Sequence, residues 1–399
     1  MSRFTRRLVA GAAMTVALAT GALAQDAYEW PQYFNVVTPI VGTANHSLAV
    51  AWTSEFAAQT GSRARVLPAP NGYARAEWLA IGEGRIALMQ ASDYFEQMDA
   101  KAGYATPQAG PADTRLAMMN MITPWGYMVR GDSAIDNFDD IGPGTRIAFS
   151  PSSAFLVAGV EALLAYRGLS REDVQLVEVG NYGANTRIVV EGRADVAFTS
   201  PLSGTSYEAE ANPNGIRWLE QPLASADPEA FARYRAIQSG YVPSETVSGV
   251  KSALGLNMDH AYQANHVRAD EDPEFVYQLV KWLDEHYEDF KDDFTHAKMM
   301  SVDSLVSFLN AGALQPLHDG AIRYLTEQGL WNDSYQARQD ALVSLSEARV
   351  ALWQETLDEA QAQKVTVSPD STGFADLWTT TRQAAGDSQS YGEMVLALD

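Results

Sequence analysis

The chain has 399 residues, 28 of them basic and 50 acidic, a net charge of −22 and no cysteine. That balance repels nucleic acid and anionic lipid surfaces, and the absence of cysteine excludes disulfides, thiolate metal sites and thiol catalysis. The length is a prior for two domains, with enough chain to build its own cores.

Arg3, Arg6 and Arg7 open the chain, Leu8 to Leu23 is small and apolar, and Ala22-Leu23-Ala24 has the form of a signal-peptidase site. The expected leader is 1–24, with the mature protein starting at Gln25 in a periplasm. About 16 apolar residues fall short of the roughly 20 that a membrane span needs, so the segment reads as a cleaved leader and the protein as not membrane-spanning. Without the three leader arginines the balance is 25 basic to 50 acidic, near −25.

Phe34 to Thr38 is an apolar, β-branched run, followed by a loop with Pro39, Gly42 and Thr43. A helix then caps on Asn45 or Ser47 and carries Leu48, Trp52 and Phe56 on one stripe. Arg63 to Leu67 is a second strand, Pro68 to Tyr73 a turn-rich loop, Ala74 to Gly82 a helix, and Arg85 to Met89 a third strand ending at Gln90. This βαβαβ order calls for a parallel sheet covered by helices, with ligands beyond the carboxyl ends of the strands.

The pattern returns with strands at 145–149, 175–179 and 195–198, and helices at 154–167 and 185–191. Glu83-Gly84-Arg85 and Glu191-Gly192-Arg193 occupy equivalent places, so one architecture is built twice. Between the copies, Leu116 to Arg130 is a long extended run, with Thr123-Pro124 expected to interrupt it as a hinge. A second crossing is expected near Ala236 to Pro243. The fold class is therefore α/β, two hinge-connected lobes with parallel sheets. Lobe I is 25–123 and 241–330, lobe II is 124–240, and 331–399 is a mainly helical extension.

No motif supports catalysis. The six histidines form no H-x-x-x-H pair, and G-x-S-x-G, G-x-G-x-x-G and Walker loops are absent. Asp139-Asp140 and Asp292-Asp293 read as solvated turn and helix-end charges. No metal, cofactor or catalytic residue is expected.

The strand-end loops are instead rich in hydroxyls and amides. The expected ligand set is Thr38, Gly42, Thr43, Asn71, Gly72, Tyr73, Gln90 and Ser92 from lobe I, and Ser150, Ser152, Ser153, Asn181, Tyr182 and Ser200 from lobe II. Trp125 and Tyr241 are placed near the hinge as apolar walls. Several of these residues also suit plain turn and cap roles. Gln90 and Trp125 do not, since neither is a favoured turn residue. Facing helix N-termini favour a carboxylate over a cation.

With these residues in view, the chain resembles the TAXI family of solute-binding proteins of TRAP transporters, over roughly Phe34 to Leu330. The resemblance rests on Gly42-Thr43, the Asn71 loop, Ile86 to Gln90 with Asp93, and Ile135 to Ile141 leading into the Arg146 strand. It continues through Gly192 to Phe198 and Pro316 to Tyr324, where His318 reads as structural. Ala69-Pro70 and Asn45-His46 depart from the family pattern. The resemblance implies a two-lobed Venus-flytrap protein of type II that closes on an organic acid or amino acid, glutamate-like or a dicarboxylate. It would deliver that solute to a membrane permease driven by an ion gradient. A receptor or chaperone that passes its ligand to another periplasmic protein, and less so a periplasmic hydrolase or lyase, are the competing readings.

Overall fold

The computed structural model describes residues 28–41, 43–151, 154–180, 182–294 and 296–398. The expected leader, Gly42, Ser152, Ser153 and Asn181 lie outside the described residues.

The first half runs β1 (Tyr33–Thr38), α1 (Ala44–Thr60), β2 (Arg63–Pro68), α2 (Gly72–Ala80), β3 (Ile86–Gln90) and α3 (Ala91–Met98). β1 lies between parallel β2 and β3, as the alternation of strand and helix requires. α1 starts earlier than a cap at Asn45 or Ser47 would allow. Thr43 is its cap, with Oγ1 accepting from His46 N, which satisfies an orphan first-turn donor. The expected stripe of Leu48, Trp52 and Phe56 is buried against the sheet.

The long strand β4 (Thr114–Arg130) leads to the second half, β5 (Arg146–Phe149), α4 (Ala154–Arg167), β6 (Gln175–Glu178), α5 (Tyr182–Val190) and β7 (Val196–Thr199). β5 pairs in parallel with β6 and β7, repeating the first half. α6 (Gly204–Glu210), β8 (Ile216–Leu219), α7 (Pro228–Ile237), β9 (Tyr241–Glu245) and β10 (Asn257–Arg268) follow. The strand order is β2-β1-β3-β10-β4-β7-β5-β6, with β8 on β4 and β9 on β10.

β4 is continuous, so the expected interruption at Thr123-Pro124 is not there. Its first part pairs with β10 as far as Trp125, and its last part with β7 and β8 from Gly126 onward. Pro124 cannot donate to a ladder, and it stands where the strand changes partners. The strand that ties the second half back to β3 is β10, later than the stretch 236–243, which instead forms the end of α7 and the start of β9. Val250 and Ala253, between β9 and β10, pack in the second half with Met128, Ala148 and Trp218.

α8 (Pro273–Glu285), α9 (Tyr287–Phe290), α10 (Val302–Asn310) and α11 (Asp319–Glu327) return to the first half. Phe275, Leu279 and Trp282 of α8 join Phe34, Trp52 and Phe56 in its main core, each worth about 1.5–3 kcal/mol on burial. His318 caps α11, with Nδ1 accepting from Gly320 N and Nε2 bonded to Glu271 O, a structural role.

The extension forms α12 (Asp333–Gln363), α13 (Thr372–Ala384) and α14 (Tyr391–Leu396). It is packed onto the first half. Arg349 is buried against Asp99, Trp353 fills a small cluster with Phe374 and Trp378, and Tyr391 meets Tyr94 and Phe95.

Candidate functional site: the strand-end cleft

Six strand-to-helix loops lie at carboxyl ends of parallel strands, three after β1, β2 and β3 and three after β5, β6 and β7. Main-chain N–H groups of helix first turns gather at such edges, and ligands of α/β folds bind there. In the first half, Thr38 is fully buried, with Oγ1 2.9 Å from His46 Nδ1 and 3.0 Å from Pro39 O. Thr43 donates to Ile40 O and caps α1. Asn71 is exposed and caps α2 by accepting from Ala74 N at 2.9 Å. Gly72 sits so near Tyr104 and Asp93 that a Cβ would lie 2.6 Å from the Tyr104 hydroxyl. Tyr73 is half-buried, edge-on to Tyr104 at 4.6 Å.

Gln90 precedes α3 without capping it through its side chain. Its amide is thus not explained by helix geometry. Ser92 lies in the first turn of α3 under Gly240, whose Cβ position is 2.6 Å from Ser92 Cα.

In the second half, Ser150 and Ser200 are buried at the ends of β5 and β7. Ser200 Oγ accepts from Leu202 N, and Ser200 N donates to the Tyr182 hydroxyl at 3.1 Å. Thr199 Oγ1 donates to the same hydroxyl at 3.0 Å. Tyr182 therefore ties the start of α5 to the end of β7. Trp125 stacks on Phe198 at 5.6 Å and meets Phe155 and Tyr182. Tyr241 is buried beside Phe198, and the neighbouring Gly240 packs on Ser92 of α3, so Tyr241 lies where the two halves meet.

Five features were not expected from the sequence. Asn120 Nδ2 donates to Asn45 Oδ1 at 2.6 Å, joining β4 to α1. Arg75 and Asp93 pair at 2.8 Å behind the first turns of α2 and α3. Phe155 completes the ring cluster; its signal was an aromatic residue in the first turn after the Ser-rich loop. Asp259 faces Trp125 in the β4–β10 register. Its Oδ2 accepts from the Tyr234 hydroxyl, and burial pushes the carboxyl up to about 6 against the pull of Arg235. Burial, then repulsion from Asp93, pushes Glu96 of α3 up to about 7.

Among the described residues no group of three or more His, Cys, Asp or Glu side chains could hold a metal ion. Asp139 pairs with Arg167, Asp140 closes a capping box and Asp292 pairs with Lys298. These are structural charges.

Topology and strand-end loops together define a mixed α/β protein in which two βαβαβ halves share one central sheet covered by helices. The chain belongs to the NMT1-like family, whose match covers residues 45–329. A search of curated protein sequences found no match. Among solved structures, the aliphatic sulphonate binding protein SsuA of Escherichia coli is 16% identical at a TM-score of 0.40, covering 82% of this chain and 88% of its own. MatC of Rhodopseudomonas palustris, solved with bound malate, is 12% identical at 0.42, with coverages of 82% and 99%. A TctC solute binding protein from Polaromonas is 12% identical at 0.46, with 82% and 98%. Among the described residues no helix is long and apolar enough to cross a membrane.

Proposed function

We propose that the chain is the extracytoplasmic solute-binding subunit of a TRAP-type, ion-gradient-driven transporter of the TAXI kind, exported by its leader to the periplasm. It captures a small carboxylate-bearing solute, an organic acid or amino acid, between its lobes and presents it to the membrane permease. It is a binding protein and carries out no reaction. Lobe I comprises about 25–123 and the segment from β10 to 330, and lobe II most of 124–256, a later return than position 241. Solute that touches both lobes stabilises the closed form by its extra affinity for that form, and the permease reads the shift.

The observation that supports this reading is the pair of facing loop sets, each supplying hydroxyls, amides and helix first turns, in half-sheets that share β4 and β10. Micromolar affinity needs about 8 kcal/mol, which helix ends alone, at roughly 0.3–1 kcal/mol each, do not supply. Desolvated hydrogen bonds from both lobes must contribute the rest. The test is a thermal-shift screen of the mature chain against amino acids, dicarboxylates, 2-oxo acids and sugars, because ligand at 100 times its dissociation constant adds about 2.7 kcal/mol. A rise with one class that Gln90→Ala and Ser200→Ala each diminish supports the proposal. A screen without any rise contradicts it.

A further inference from the structure

All six strand-end loops lack charge. Residues 39–45, 69–74, 91–92, 151–155, 179–184 and 200–206 contain no Lys, Arg, Asp or Glu. The nearest titratable groups are engaged. His46 is bonded to Thr38, and Arg75 is paired with Asp93 through Nη2, its buried Nε having no partner. Glu96, one turn further along α3, adds a carboxylate to that wall. A solute with two carboxylates would have to bury both against helix ends that each carry roughly half a positive charge. The one guanidinium beside these loops, Arg75, already shares its charge with Asp93, in a protein that is itself strongly anionic.

The same edge carries an apolar seat. Trp125 from β4, Phe155 from α4 and Tyr182 from α5 bring three rings together from three elements. The centroids are 4.9 Å apart for Trp125–Phe155, 5.9 Å for Trp125–Tyr182 and 6.5 Å for Phe155–Tyr182. Phe198, stacked on Trp125 at an interplanar angle of 25°, backs them. Phe155 and Tyr182 are half-buried, while Trp125 is 8% exposed and its indole Nε1 has no acceptor. The indoles of Trp52, Trp282 and Trp353 are likewise unpaired inside the cores; Trp125 differs from them in standing beside the carboxyl end of β7, where the loops gather. In the first half, the β1–α1 loop exposes Ile40 and Val41, 54% and 69% accessible, at the corresponding strand end.

Resting on the solute-binding reading above, we infer that the cleft takes a singly charged carboxylate with an aromatic or branched apolar body and discriminates against dicarboxylates. The body seats on Phe155 and Tyr182, an acceptor oxygen meets Trp125 Nε1, and the one carboxylate takes hydroxyl and main-chain donors of the loops. The loop sequences set the charge limit, and the ring cluster sets the body.

The test is calorimetric titration of the full exported chain with phenylpyruvate and 4-methyl-2-oxopentanoate, set against 2-oxoglutarate and succinate. The expected result is binding of phenylpyruvate at least roughly tenfold tighter than 2-oxoglutarate. Phe155→Ala should weaken phenylpyruvate by about tenfold, Phe155→Leu should restore most of it, and Trp125→Phe, which keeps the ring and removes the N–H, should weaken it by roughly fivefold. Circular-dichroism melts of the three variants establish that they fold. Equal or tighter binding of 2-oxoglutarate or succinate overturns the inference and leaves solute binding intact. Phenylpyruvate affinity unaltered by Phe155→Ala overturns the seat. Heat from neither class at millimolar ligand overturns the carboxylate-binding reading itself, and this inference with it.

Discussion

Arg349 of α12 meets Asp99 at the end of α3 with Nη1 2.7 Å from Oδ1, and both side chains are almost wholly out of water. The same guanidinium reaches Asp387, and Tyr391 N donates to Asp99. This cluster ties the extension to α3 of the first half. Arg349→Leu leaves Asp99 with only Lys101 and Asp387 with only Arg382 as cationic partners, so a loss of about 3 kcal/mol, the low end for a broken buried pair, is expected, read as a lower urea midpoint. A chain ending at Leu330 would expose the surfaces under Trp353 and Tyr391, and should not accumulate as folded protein.

Asp259 gives a pH signature. Its carboxyl is pushed up to about 6 by burial, so the folded chain holds a proton that the unfolded chain releases near pH 4. The contribution of Asp259 is full below that value and is lost as pH rises towards 6. A shift of two units corresponds to about 3 kcal/mol. Glu96, pushed up to about 7, acts in the same direction over a higher window. Between pH 4 and 7 the wild type should lose stability relative to Asp259→Asn, as followed by denaturant melts of both. A constant difference across that range would contradict the assignment.

Gly240 tests the contact between the α7–β9 turn and α3. A Cβ there would meet Ser92 Cα at 2.6 Å and Ser92 N at 2.7 Å, both backbone atoms that cannot rotate away. Gly240→Ala should cost about 1–3 kcal/mol, measured as a fall in melting temperature.

Tyr182→Phe removes the acceptor shared by Thr199 Oγ1 and Ser200 N. One buried N–H loses its partner, which costs about 1–2 kcal/mol. Because α5 and the Ser200 loop are then no longer tied, ligand affinity should fall as well, and a melt paired with a titration reads both.

Much of the fold was legible because its signals are local. Both βαβαβ units announce themselves through apolar strands, Gly turns and helical stripes such as Leu48, Trp52 and Phe56. What was hidden depends on partners distant in sequence. Pro124 looked like a break because proline usually ends a strand, yet here it marks an exchange of ladder partners. The return strand β10 contains Asp259, His260, Gln263, Asn265 and His266, polar residues that mask a central strand. α12 reads as polar because four of its seven buried positions, Gln339, Ser346, Arg349 and Thr356, are polar themselves. Of the site, the polar character of the loops was readable. That Asn71 and Thr43 are occupied as caps, and that Phe155 joins Trp125, required the tertiary structure.

The central claim is that one solute is held by both lobes, and titration of the screened ligand into Gln90→Ala and Ser200→Ala tests it most directly. Each variant is expected to fold and to bind roughly tenfold or more weakly, since each removes a polar group from a different lobe. Undiminished affinity in either variant would place the solute on one lobe alone and contradict it.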